Sequence, residues 1–515
     1  MSTGNAPYYM GIDVGTSETK GLLIDRNCRI VLQSSIKHSM EHPKPGQYEH
    51  DAERVWWHDL CIVANTLIRD SGVEAKEIAA LGISTLGSDC LPVDETCKPL
   101  RKAILYGIDS RAQEEIEWLT NYYGTEEVNR LFGRPICTGD VAAKILWIKH
   151  HEPEIYKRTY KFLTGSSYLV ARLTGKYVID QFLSQASFRP LYRKDGSICE
   201  EECQLYCSPE QLAQTMPASD IAGFVTKEAS LATGLAEGTP VITGTGDSSA
   251  EAISTGVLAP GDMMIQFGST LFLYYCSAKP VQDERMRGNN FLIPGTYSLA
   301  GGTNTCGAMT QWYRDILFSD YLQEEQQGGK NAFARMPEGI EEIAPGSEGL
   351  ITLPYFAGER TPINDPKARG MIFGLTLSHT RKHLYRSALE SVGYSVRQHL
   401  EVLRDHDLPL KKLMAVGGGT KSAVWMQIVS DIIGLPISVS EVSVGAAFGD
   451  ALMAALGTGR FNSFRQLNEV ITTARIYQPD QERHRQYERY YKLYCELYNQ
   501  TKNMMHRIGE VENVP

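Results

Sequence analysis

The chain has 515 residues, of which 42% are hydrophobic, and its formal net charge is −10. A chain of this length exceeds one ordinary hydrophobic core, so we expect two large domains. The negative charge argues against nucleic acid as a partner, and no apolar run has the length of a membrane span. No N-terminal stretch has the pattern of a secretory signal, so we expect a soluble, cytoplasmic protein.

Eleven cysteines are spread along the chain, too thinly for a disulfide scaffold. Three of them, Cys199, Cys203 and Cys207, recur every fourth residue and would share one face of a helix. A structural zinc site needs a fourth ligand, and no further Cys or His lies close by in the sequence. We therefore expect buried or incidental thiols here rather than a metal site.

The stretch 10–25 predicts a β-hairpin with a polar tip. Apolar runs at 8–12 and 21–24 flank the turn at residues 15–17. Two apolar runs around a short turn of small residues are typical of antiparallel strands.

The tip of this hairpin has the chemistry of a phosphate-binding loop. Gly15 lets the backbone approach a ligand, and Thr16 and Ser17 can donate hydrogen bonds to anionic oxygens. Asp13 ends the first strand, and a carboxylate beside bound phosphate suggests a divalent metal between them. The alternative is an ordinary tight hairpin with solvated polar residues.

A ligand-binding loop is predicted after the next strand. A helix over 52–71 precedes a short buried strand at 79–84, which leads into Ser88 and Asp89. Loops at the ends of such strands are where α/β proteins place ligands. Asp89 could accept hydrogen bonds from two adjacent substrate hydroxyls, or it could cap the loop or face solvent.

A second candidate pair of polar residues follows at Asp109 and Arg111. They could bind hydroxyls or simply pair with each other on the surface. Beyond them, the spacing of apolar residues predicts helices over 142–151 and 156–173.

The stretch 239–256 places a carboxylate at a strand-to-helix junction. A buried strand at 240–243 is followed by a glycine turn, Asp247 and an Ala-rich helix at 250–254. Asp247 could be a helix N-cap, which satisfies free backbone N–H groups. It could instead be a general base that accepts a proton from a substrate hydroxyl.

The stretch 262–276 repeats the plan of the opening hairpin. Two apolar strands flank a second small-residue tip, Gly268, Ser269 and Thr270. The repeat predicts a duplicated architecture, in which two facing tips could clamp a polyphosphate between domains.

The rest of the chain predicts an alternation of helices and strands. A strand at 413–416 ends in Gly417, Gly418 and Gly419, which let the backbone lie against a flat ring or a phosphate. The expected helices cover 308–318, 381–404, 423–434, 444–456 and the polar, Tyr-rich stretch after residue 481.

With these motifs in order, the chain resembles the FGGY family of carbohydrate kinases, within the sugar kinase, heat-shock protein and actin superfamily. The motifs are Asp13 to Thr16, Gly244 to Asp247, Gly268 to Thr270, the block 358–381 and the segment 417–436. The resemblance implies an α/β fold with two actin-like (ribonuclease H-like) domains around a central cleft. It implies a sugar-binding domain at 1–256 and a nucleotide-binding domain at 257–515 with a helical C-terminal tail. It also implies ATP and Mg²⁺ as cofactors, a small-molecule sugar as substrate, and a homodimer as the assembly of many relatives.

The resemblance also implies roles for individual residues. Asp247 matches the catalytic base, Asp13 matches the carboxylate on the metal and phosphate side, and both would hold Mg²⁺. The expected phosphate contacts are Gly15, Thr16, Ser17, Lys20, Gly268, Ser269 and Thr270. The expected nucleotide contacts are Gly307, Gln311, Gly417, Gly418, Gly419 and Ser422. Together with the loops described above, the expected substrate contacts are Ser88, Asp89, Asp109 and Asp247.

The block 359–381 looks most like the xylulose kinases, whereas three sugar-facing elements depart from their pattern. The loop 85–89 replaces Gly-Gln-Met-His-Gly, and the elements at 106–109 and 184–187 are also altered. We expect ATP-dependent phosphorylation of a ketopentose such as xylulose. The alternatives are a kinase for another ketose, a polyol or a sugar acid, and a non-catalytic, nucleotide-gated sensor on the same fold.

Overall fold

The computed structural model describes residues 8–441 and 445–512. The chain forms two compact units. The first takes the described residues of Met1–Leu258, Asn289–Tyr297 and Val444–Ile471. The second takes those of Ala259–Gly288, Ser298–Ser443 and Thr472–Pro515. A segment late in the chain therefore belongs with the first unit, while the sugar and nucleotide roles predicted for the two halves stay a proposal.

Both units combine strands with helices. The strands are β1 (Tyr8–Val14), β2 (Glu18–Asp25), β3 (Ile30–Lys37), β4 (Glu49–His50), β5 (Ile78–Thr85), β6 (Leu91–Val93), β7 (Ala103–Ile104), β8 (Lys161–Leu163), β9 (Val178–Asp180), β10 (Gln214–Met216), β11 (Ile221–Phe224), β12 (Pro240–Ile242), β13 (Thr245–Gly246), β14 (Asp262–Phe267), β15 (Leu271–Ser277), β16 (Arg287–Asn290), β17 (Tyr297–Gly301), β18 (Ile351–Leu353), β19 (Met371–Phe373), β20 (Lys412–Val416), β21 (Ile437–Ser440) and β22 (Thr473–Tyr477). The α-helices are α1 (His58–Ser71), α2 (Gln113–Phe132), α3 (Val141–His151), α4 (Pro153–Arg158), α5 (Gly165–Thr174), α6 (Gln181–Ser187), α7 (Glu200–Tyr206), α8 (Lys227–Thr233), α9 (Asp247–Ser254), α10 (Gly307–Leu317), α11 (Ser319–Gln326), α12 (Ala332–Arg335), α13 (Arg381–Asp405), α14 (Ala423–Ile433), α15 (Ala446–Gly457) and α16 (Gln481–Glu512). A π-helical turn, Ala52–Trp57, precedes α1, and short 3-10 turns occupy Ala75–Glu77, Pro209–Gln211, Ser347–Gly349, Gly418–Lys421 and Phe464–Glu469.

The central sheet of the first unit is built around the opening hairpin. Its strands lie in the order β11-β12-β5-β1-β2-β3, with β13 beside β5. Strand β1 pairs antiparallel with β2 and parallel with β5, and β5 continues parallel into β12. The hairpin predicted from the first motif is confirmed, and its first strand lies inside the sheet, where both faces are covered.

The central sheet of the second unit follows the same plan. Its order is β16-β17-β15-β14-β20-β21-β22. Strand β14 pairs antiparallel with β15 and parallel with β20, which runs parallel to β21. In both sheets, an antiparallel hairpin is therefore joined to two parallel strands, and the outer neighbour of the second parallel strand is antiparallel. The predicted second hairpin and the duplicated architecture are confirmed.

Helix α15 lies directly on the first sheet because the strands beneath it carry glycine. A Cβ atom on Gly11 would lie 1.9 Å from the carbonyl oxygen of Ala447, and one on Gly82 would lie 2.1 Å from that of Asp450. Carbon atoms do not approach oxygen this closely, so only glycine allows the helix backbone to touch the strands. This contact brings a segment from late in the chain against β1 and β5.

The core of the second unit is centred on α13. Most of this helix is buried, and it packs against α14 and the C-terminal helix α16. Tyr394 of α13 contacts three tyrosine rings of α16, at 487, 491 and 494, with ring centroids 5.2–6.2 Å apart. The helices predicted over 381–404 and after 481 are therefore confirmed, and the Tyr-rich stretch supplies core aromatics as well as a polar surface.

The single helix predicted over 156–173 is wrong. The structure divides this stretch into the end of α4, strand β8 and helix α5. Strand β8 pairs with β6, and Thr164 begins α5 by accepting a hydrogen bond from the backbone N–H of Ser167. Strand pairing with a distant segment therefore overrides the helical spacing of the apolar residues.

The three regularly spaced cysteines do not share a helix. Helix α7 lies between Cys199 and Cys207, and its cap residue Cys207 is extended. Cys203 and Cys207 are buried, whereas Cys199 is half-buried. A hydrogen bond from Cys207 lowers the pKa of Cys203, which shows that two of the thiols lie side by side.

The predicted helix 444–456 corresponds to α15, and its predicted first residue, Val444, lies outside the described residues. Within 8–441 and 445–512, none of the helices has both the length and the apolar character needed to cross a bilayer.

The glycine contact beneath α15 yields a stability prediction. We expect Gly82→Ala to destabilise the first unit by about 1–3 kcal/mol, because the new methyl group forces the helix away from β5. The matched control is Gly107→Ala, whose Cβ would meet its nearest atom at an ordinary 3.6 Å. Scanning calorimetry should show a lower melting temperature for Gly82→Ala alone. Equal melting temperatures for both variants would contradict this contact.

Candidate active site

The register of the first sheet brings three polar positions to one edge. Parallel pairing of β1 with β5 sets Asp13 beside Ser84. Parallel pairing of β13 with β5 sets Gly246 beside Thr85, so Asp247 follows at the same end. Because the carboxyl ends of parallel strands share one edge, two candidate catalytic carboxylates lie at the edge where α/β proteins bind ligands.

Asp13 is a half-buried carboxyl in an environment that disfavours its charge. The hydroxyl of Ser84 lies 3.0 Å from its Oδ1 and donates to it. Burial, and then the negative charge of Asp247, raise the pKa of Asp13 to about 8, against smaller opposing effects of Ser84 and Lys20. The group therefore lacks full charge compensation from the protein, which is typical of a carboxylate that meets a cation or a reacting group.

Asp247 is the first residue of α9, and the N-cap is Gly246. The N-cap alternative considered from the sequence is therefore not the role that the structure shows. Its Oδ1 accepts a hydrogen bond of 2.6 Å from the backbone N–H of Ser248. Burial raises the pKa of Asp247 to about 6, against the opposing effect of this bond. A partly accessible carboxyl with such a pKa is suited to accept a proton near neutral pH.

Asp89 is fully buried in the loop after β5. In the described part of the chain, neither of its carboxyl oxygens makes a hydrogen bond of normal geometry. Burial raises the pKa of Asp89 well above its ordinary value, Lys144 opposes this effect and Asp247 adds to it. A buried carboxyl with unused oxygens can accept hydrogen bonds from a ligand, and solvent exposure, one of the alternatives, is excluded.

Lys144 is a buried cation in the apolar first part of helix α3, and the sequence pattern did not single it out. Its ammonium group donates to the carbonyl oxygens of Ser88 and Leu105, at 2.6 and 2.7 Å. Burial lowers the pKa of Lys144, although the charge of Asp89 opposes this. Lys144 therefore holds the Ser88–Asp89 loop in place and supplies the positive charge nearest to it.

Further polar groups of the first unit surround this loop. The hydroxyl of Ser88 lies 2.9 Å from that of Ser187 in α6, and Ser187 donates to the carbonyl oxygen of Gly87. Two residues earlier in α6, Gln185 accepts a hydrogen bond from the side chain of Asn290. Asn290 lies in the short excursion Asn289–Tyr297 that returns to the first unit, and no sequence pattern indicated its place there.

Asp109 is the candidate whose observed contacts depart most from the predicted role. Arg111 binds both of its carboxyl oxygens, and the backbone N–H of Tyr48 donates to Oδ2 at 2.6 Å. The pair is buried rather than on the surface, with 0% exposure of the Asp109 side chain. The pairing alternative is therefore the observed one, and a contact with substrate stays a prediction at a carboxylate whose oxygens are already in use.

The first hairpin tip presents its polar groups on a braced backbone. The backbone N–H of Gly15 donates to the carbonyl oxygen of Glu18, and the imidazole of His38 lies 3.0 Å from the Gly15 carbonyl oxygen. The Thr16 hydroxyl lies 3.3 Å from that of Tyr106. The remaining predicted phosphate contacts of this tip, Ser17 and Lys20, are exposed.

In the second unit, the equivalent tip touches the start of α10. The backbone N–H of Gly307 donates to the carbonyl oxygen of Gly268 at 2.8 Å, and that of Ala308 to Ser269 at 3.0 Å. A Cβ atom on Gly307 would lie 2.6 Å from the Gly268 carbonyl oxygen. The structure therefore joins a predicted phosphate loop to a predicted nucleotide position, and the side chains of Ser269 and Thr270 remain exposed.

The glycine loop after β20 adjoins the same tip. A Cβ atom on Gly417 would lie 2.7 Å from the carbonyl oxygen of Phe267, the residue before Gly268. Gly417 and Gly418 are exposed, as is Gln311 one turn into α10. Ser422 caps α14 by accepting a hydrogen bond from the backbone N–H of Trp425, so its hydroxyl already has a structural role.

The carboxylates at the edge of the first sheet fit a magnesium ion, although they would not hold one alone. Within residues 8–441 and 445–512, no three His, Cys, Asp or Glu side chains are grouped to hold a metal. Mg²⁺ is usually bound by one or two carboxylates together with substrate phosphates. Asp13 and Asp247 supply two, and a divalent cation would offset the repulsion by which Asp247 raises the pKa of Asp13.

Comparison with known families matches both halves of the chain. The N-terminal domain model of the FGGY family of carbohydrate kinases matches residues 8–254, and the C-terminal domain model matches residues 263–458. The chain belongs to the FGGY family of carbohydrate kinases. This FGGY kinase is therefore a phosphotransferase whose acceptor is an alcohol group, as the resemblance implied.

Relatives of this FGGY kinase act on different acceptors. It is 28% identical to the xylulose kinase of Bacillus subtilis over 505 residues, which cover 96% of this chain and 98% of the relative. It is 26% identical to the gluconokinase of the same species over 509 residues, which cover 98% of each. The crystal structure of xylulose kinase from Rhodospirillum rubrum has a TM-score of 0.87 and 28% identity, with 97% of this chain and all of that chain covered. The predicted actin-like α/β fold is confirmed.

The raised pKa of Asp247 yields a second stability prediction. Because burial raises this pKa from 3.8 to about 6, ionisation of Asp247 is less favourable in the folded state than in the unfolded chain, and it therefore lowers the stability of the fold. We expect Asp247→Asn to raise the free energy of unfolding at pH 8 by about 1–3 kcal/mol, which appears as a higher melting temperature. This gain in stability should disappear near pH 4, where the wild-type carboxyl is protonated in the folded state.

Scanning calorimetry without nucleotide or metal measures this difference. The matched control is Asp195→Asn, because the Asp195 carboxyl lies in an exposed turn, where it accepts hydrogen bonds from the backbone and the side chain of Ser197. A pH-independent effect of Asp247→Asn would show that burial does not raise the pKa of this carboxyl group.

Proposed function

We propose that this FGGY kinase transfers the γ-phosphate of ATP to a hydroxyl of a small uncharged sugar, a ketopentose such as xylulose being the best candidate. The observation that carries the proposal is the partly accessible Asp247 carboxyl, with a pKa of about 6, at the same sheet edge as Asp13. A cytoplasmic location and a homodimer stay predictions from the sequence.

In this proposal, Asp247 is the general base. Because Oδ1 already accepts a hydrogen bond from Ser248, we assign Oδ2 as the oxygen that takes the proton from the acceptor hydroxyl. A base with a pKa of about 6 is ionised at neutral pH and is still basic enough to share the proton as the hydroxyl attacks phosphorus. The hydroxyl oxygen forms the new bond to phosphorus, and ADP leaves with the electrons of the broken bond.

The two hairpin tips and the glycine loop would bind the nucleotide. In the first unit, Gly15, Thr16, Ser17 and Lys20 offer donors and one positive charge to phosphate oxygens. In the second unit, Gly268, Ser269 and Thr270 would do the same, while Gly307, Gln311, the glycines 417–419 and Ser422 would contact the nucleotide. Mg²⁺, when bound by Asp13 and Asp247, would neutralise phosphate charge during transfer.

The acidic groups near the loop after β5 favour an uncharged acceptor. Asp247, with a pKa of about 6, is ionised at neutral pH and would repel the carboxylate of a sugar acid. The nearby cation, Lys144, already donates to two backbone carbonyl oxygens. Hydroxyl groups could instead donate to Asp89, whose oxygens make no hydrogen bond of normal geometry within the described chain. Gluconate remains the second candidate, because the gluconokinase relative is nearly as similar as the xylulose kinase.

An assay of ADP release tests the proposed reaction. With ATP and Mg²⁺, xylulose or a related ketose should give turnover, whereas gluconate should give little. Asp247→Asn should lower kcat by about 10²–10⁴-fold while ATP still binds, since the proton acceptor is lost but the phosphate-binding tips and Asp13 are unchanged. ATP binding with no sugar-dependent ADP release across ketoses, polyols and sugar acids would instead indicate a nucleotide-gated sensor. Near-wild-type turnover of Asp247→Asn would exclude Asp247 as the base.

The Asp89 carboxyl yields a separate prediction on specificity. We expect Asp89→Ala to raise KM for the sugar about ten-fold or more, because each lost hydrogen bond in a dry site costs about 1–3 kcal/mol. KM for ATP should not change, and discrimination between sugars epimeric at the contacted carbon should fall.

Steady-state kinetics with two epimeric sugars measures both effects, and Asp94→Ala is the matched control. Asp94 lies in an exposed turn, where it accepts hydrogen bonds from Thr96 and Lys98. If both sugar KM values and their ratio stay the same in Asp89→Ala, this loop does not bind the substrate.

A further inference from the structure

Helix α15 carries one acidic residue into the interior of the first unit. Asp450 is fully buried in a helix whose other residues are apolar or small. Its Oδ2 lies 2.6 Å from the hydroxyl oxygen of Ser84, and the same hydroxyl oxygen lies 3.0 Å from Oδ1 of Asp13. A residue 366 positions away from Ser84 in the chain is therefore linked to the candidate phosphate-side carboxylate through a single hydroxyl.

The chemistry of this arrangement limits where the protons can be. A serine hydroxyl has one hydrogen, so Ser84 can donate fully to only one of its two carboxyl neighbours. The other short contact is favourable when that neighbour carries a proton and donates to the serine oxygen. If both carboxyls were ionised, one of the two contacts would bring an anionic oxygen against a lone pair.

The surroundings of Asp450 favour the neutral acid at this position. Its Oδ1 is buried and makes no hydrogen bond of normal geometry in the described part of the chain. An ionised carboxylate with an unsatisfied oxygen in such a place is costly, whereas the carbonyl oxygen of a neutral acid is much less so. Burial raises the pKa of Asp450 well above its ordinary value, although hydrogen bonds from the side chain and the backbone of Ser84 oppose this effect.

We propose that Asp450 is a positioning residue for phosphoryl transfer, which in its neutral form donates from Oδ2 to Ser84 so that the Ser84 hydroxyl donates to Asp13. The inference rests on the proposed role of Asp13 beside phosphate and metal. Asp450 touches neither substrate nor nucleotide in this account. It fixes the direction of the Ser84 hydroxyl, which in turn orients the Asp13 carboxyl group.

Three variants separate this role from ordinary packing. Asp450→Asn replaces a neutral donor by an amide N–H that can also donate to Ser84. Asp450→Ala removes the donor, and Ser84→Ala removes the link while Asp450 stays in place. The control is Thr233→Val, which deletes another buried hydroxyl of the first unit, one that donates to the backbone carbonyl oxygen of Ala229 and accepts from the backbone N–H of Leu235.

We expect Asp450→Asn to keep kcat within about three-fold of wild type, and the two alanine variants to lose about ten-fold or more. KM for the sugar should not change, because the sugar loop is intact. The Mg²⁺ concentration needed for half-maximal nucleotide binding, measured by titration calorimetry without sugar, should rise in the alanine variants only. Thr233→Val should lose stability without either effect.

Two results would overturn the proposal. One is a loss in Asp450→Asn as large as in Asp450→Ala, which would show that an ionised Asp450 is needed. The other is a Ser84→Ala variant with unchanged kcat and unchanged Mg²⁺ dependence. If Asp450→Ala does not fold, Ser84→Ala and Asp450→Asn still decide the question. The calorimetric titration measures Mg²⁺-dependent nucleotide binding even if no sugar is turned over. A failure of the proposed function can therefore be distinguished from a failure of the role proposed for Asp450.

Discussion

Four buried or half-buried carboxyl groups lie near the carboxyl end of the parallel strands of the first sheet without enough positive charge to balance them. Asp13, Asp89, Asp247 and Asp450 all have a pKa raised mainly by burial. The backbone pairing of β1, β5 and β13, and the glycine contacts of α15, fix the positions of the elements that carry them or precede them. These uncompensated carboxyl groups destabilise the free protein, and a bound cation or a substrate hydroxyl would offset part of that effect.

The two sheets follow the same plan, but the tips of their hairpins have different chemical surroundings. The first strand of each hairpin lies inside its sheet, and a parallel strand ends beside the tip, so each tip projects from a paired base. In the first unit the neighbouring elements bring acidic side chains, whereas in the second they bring glycine backbone at 307 and 417. A single folding plan can thus provide one surface rich in carboxylates and another suited to a flat or anionic group.

Local patterns predicted those parts of the fold that depend on local interactions. Both hairpins, the long helix α13 and the strand after which Asp89 lies could be predicted from apolar periodicity and turn residues, since neighbouring residues determine them. The interrupted helix after residue 156 could not, because β8 forms by pairing with β6. Asp109 was ambiguous for a related reason: its spacing to Arg111 permits both a ligand contact and the buried pair that is observed.

The site residues that sequence patterns missed are those whose meaning depends on distant partners. Lys144 and Asp450 are charged residues flanked by apolar or small neighbours in their helices, which shows that their positions are unusual but not what they do there. Their roles become visible only when α3 is placed beside the Ser88 loop and α15 on β5.

The position of α15 also has a consequence for the order in which the protein forms during synthesis. The ribosome releases β1, β5 and α9 long before it reaches residues 446–457. Until helix α15 is made, Gly11 and Gly82 of the nascent first unit are therefore not covered by it. During that interval the intervening second unit is being made, and Ser84 has no Asp450 to contact. Completion of the first unit is therefore a late event with high contact order, and an N-terminal fragment would leave an apolar sheet face open to aggregation.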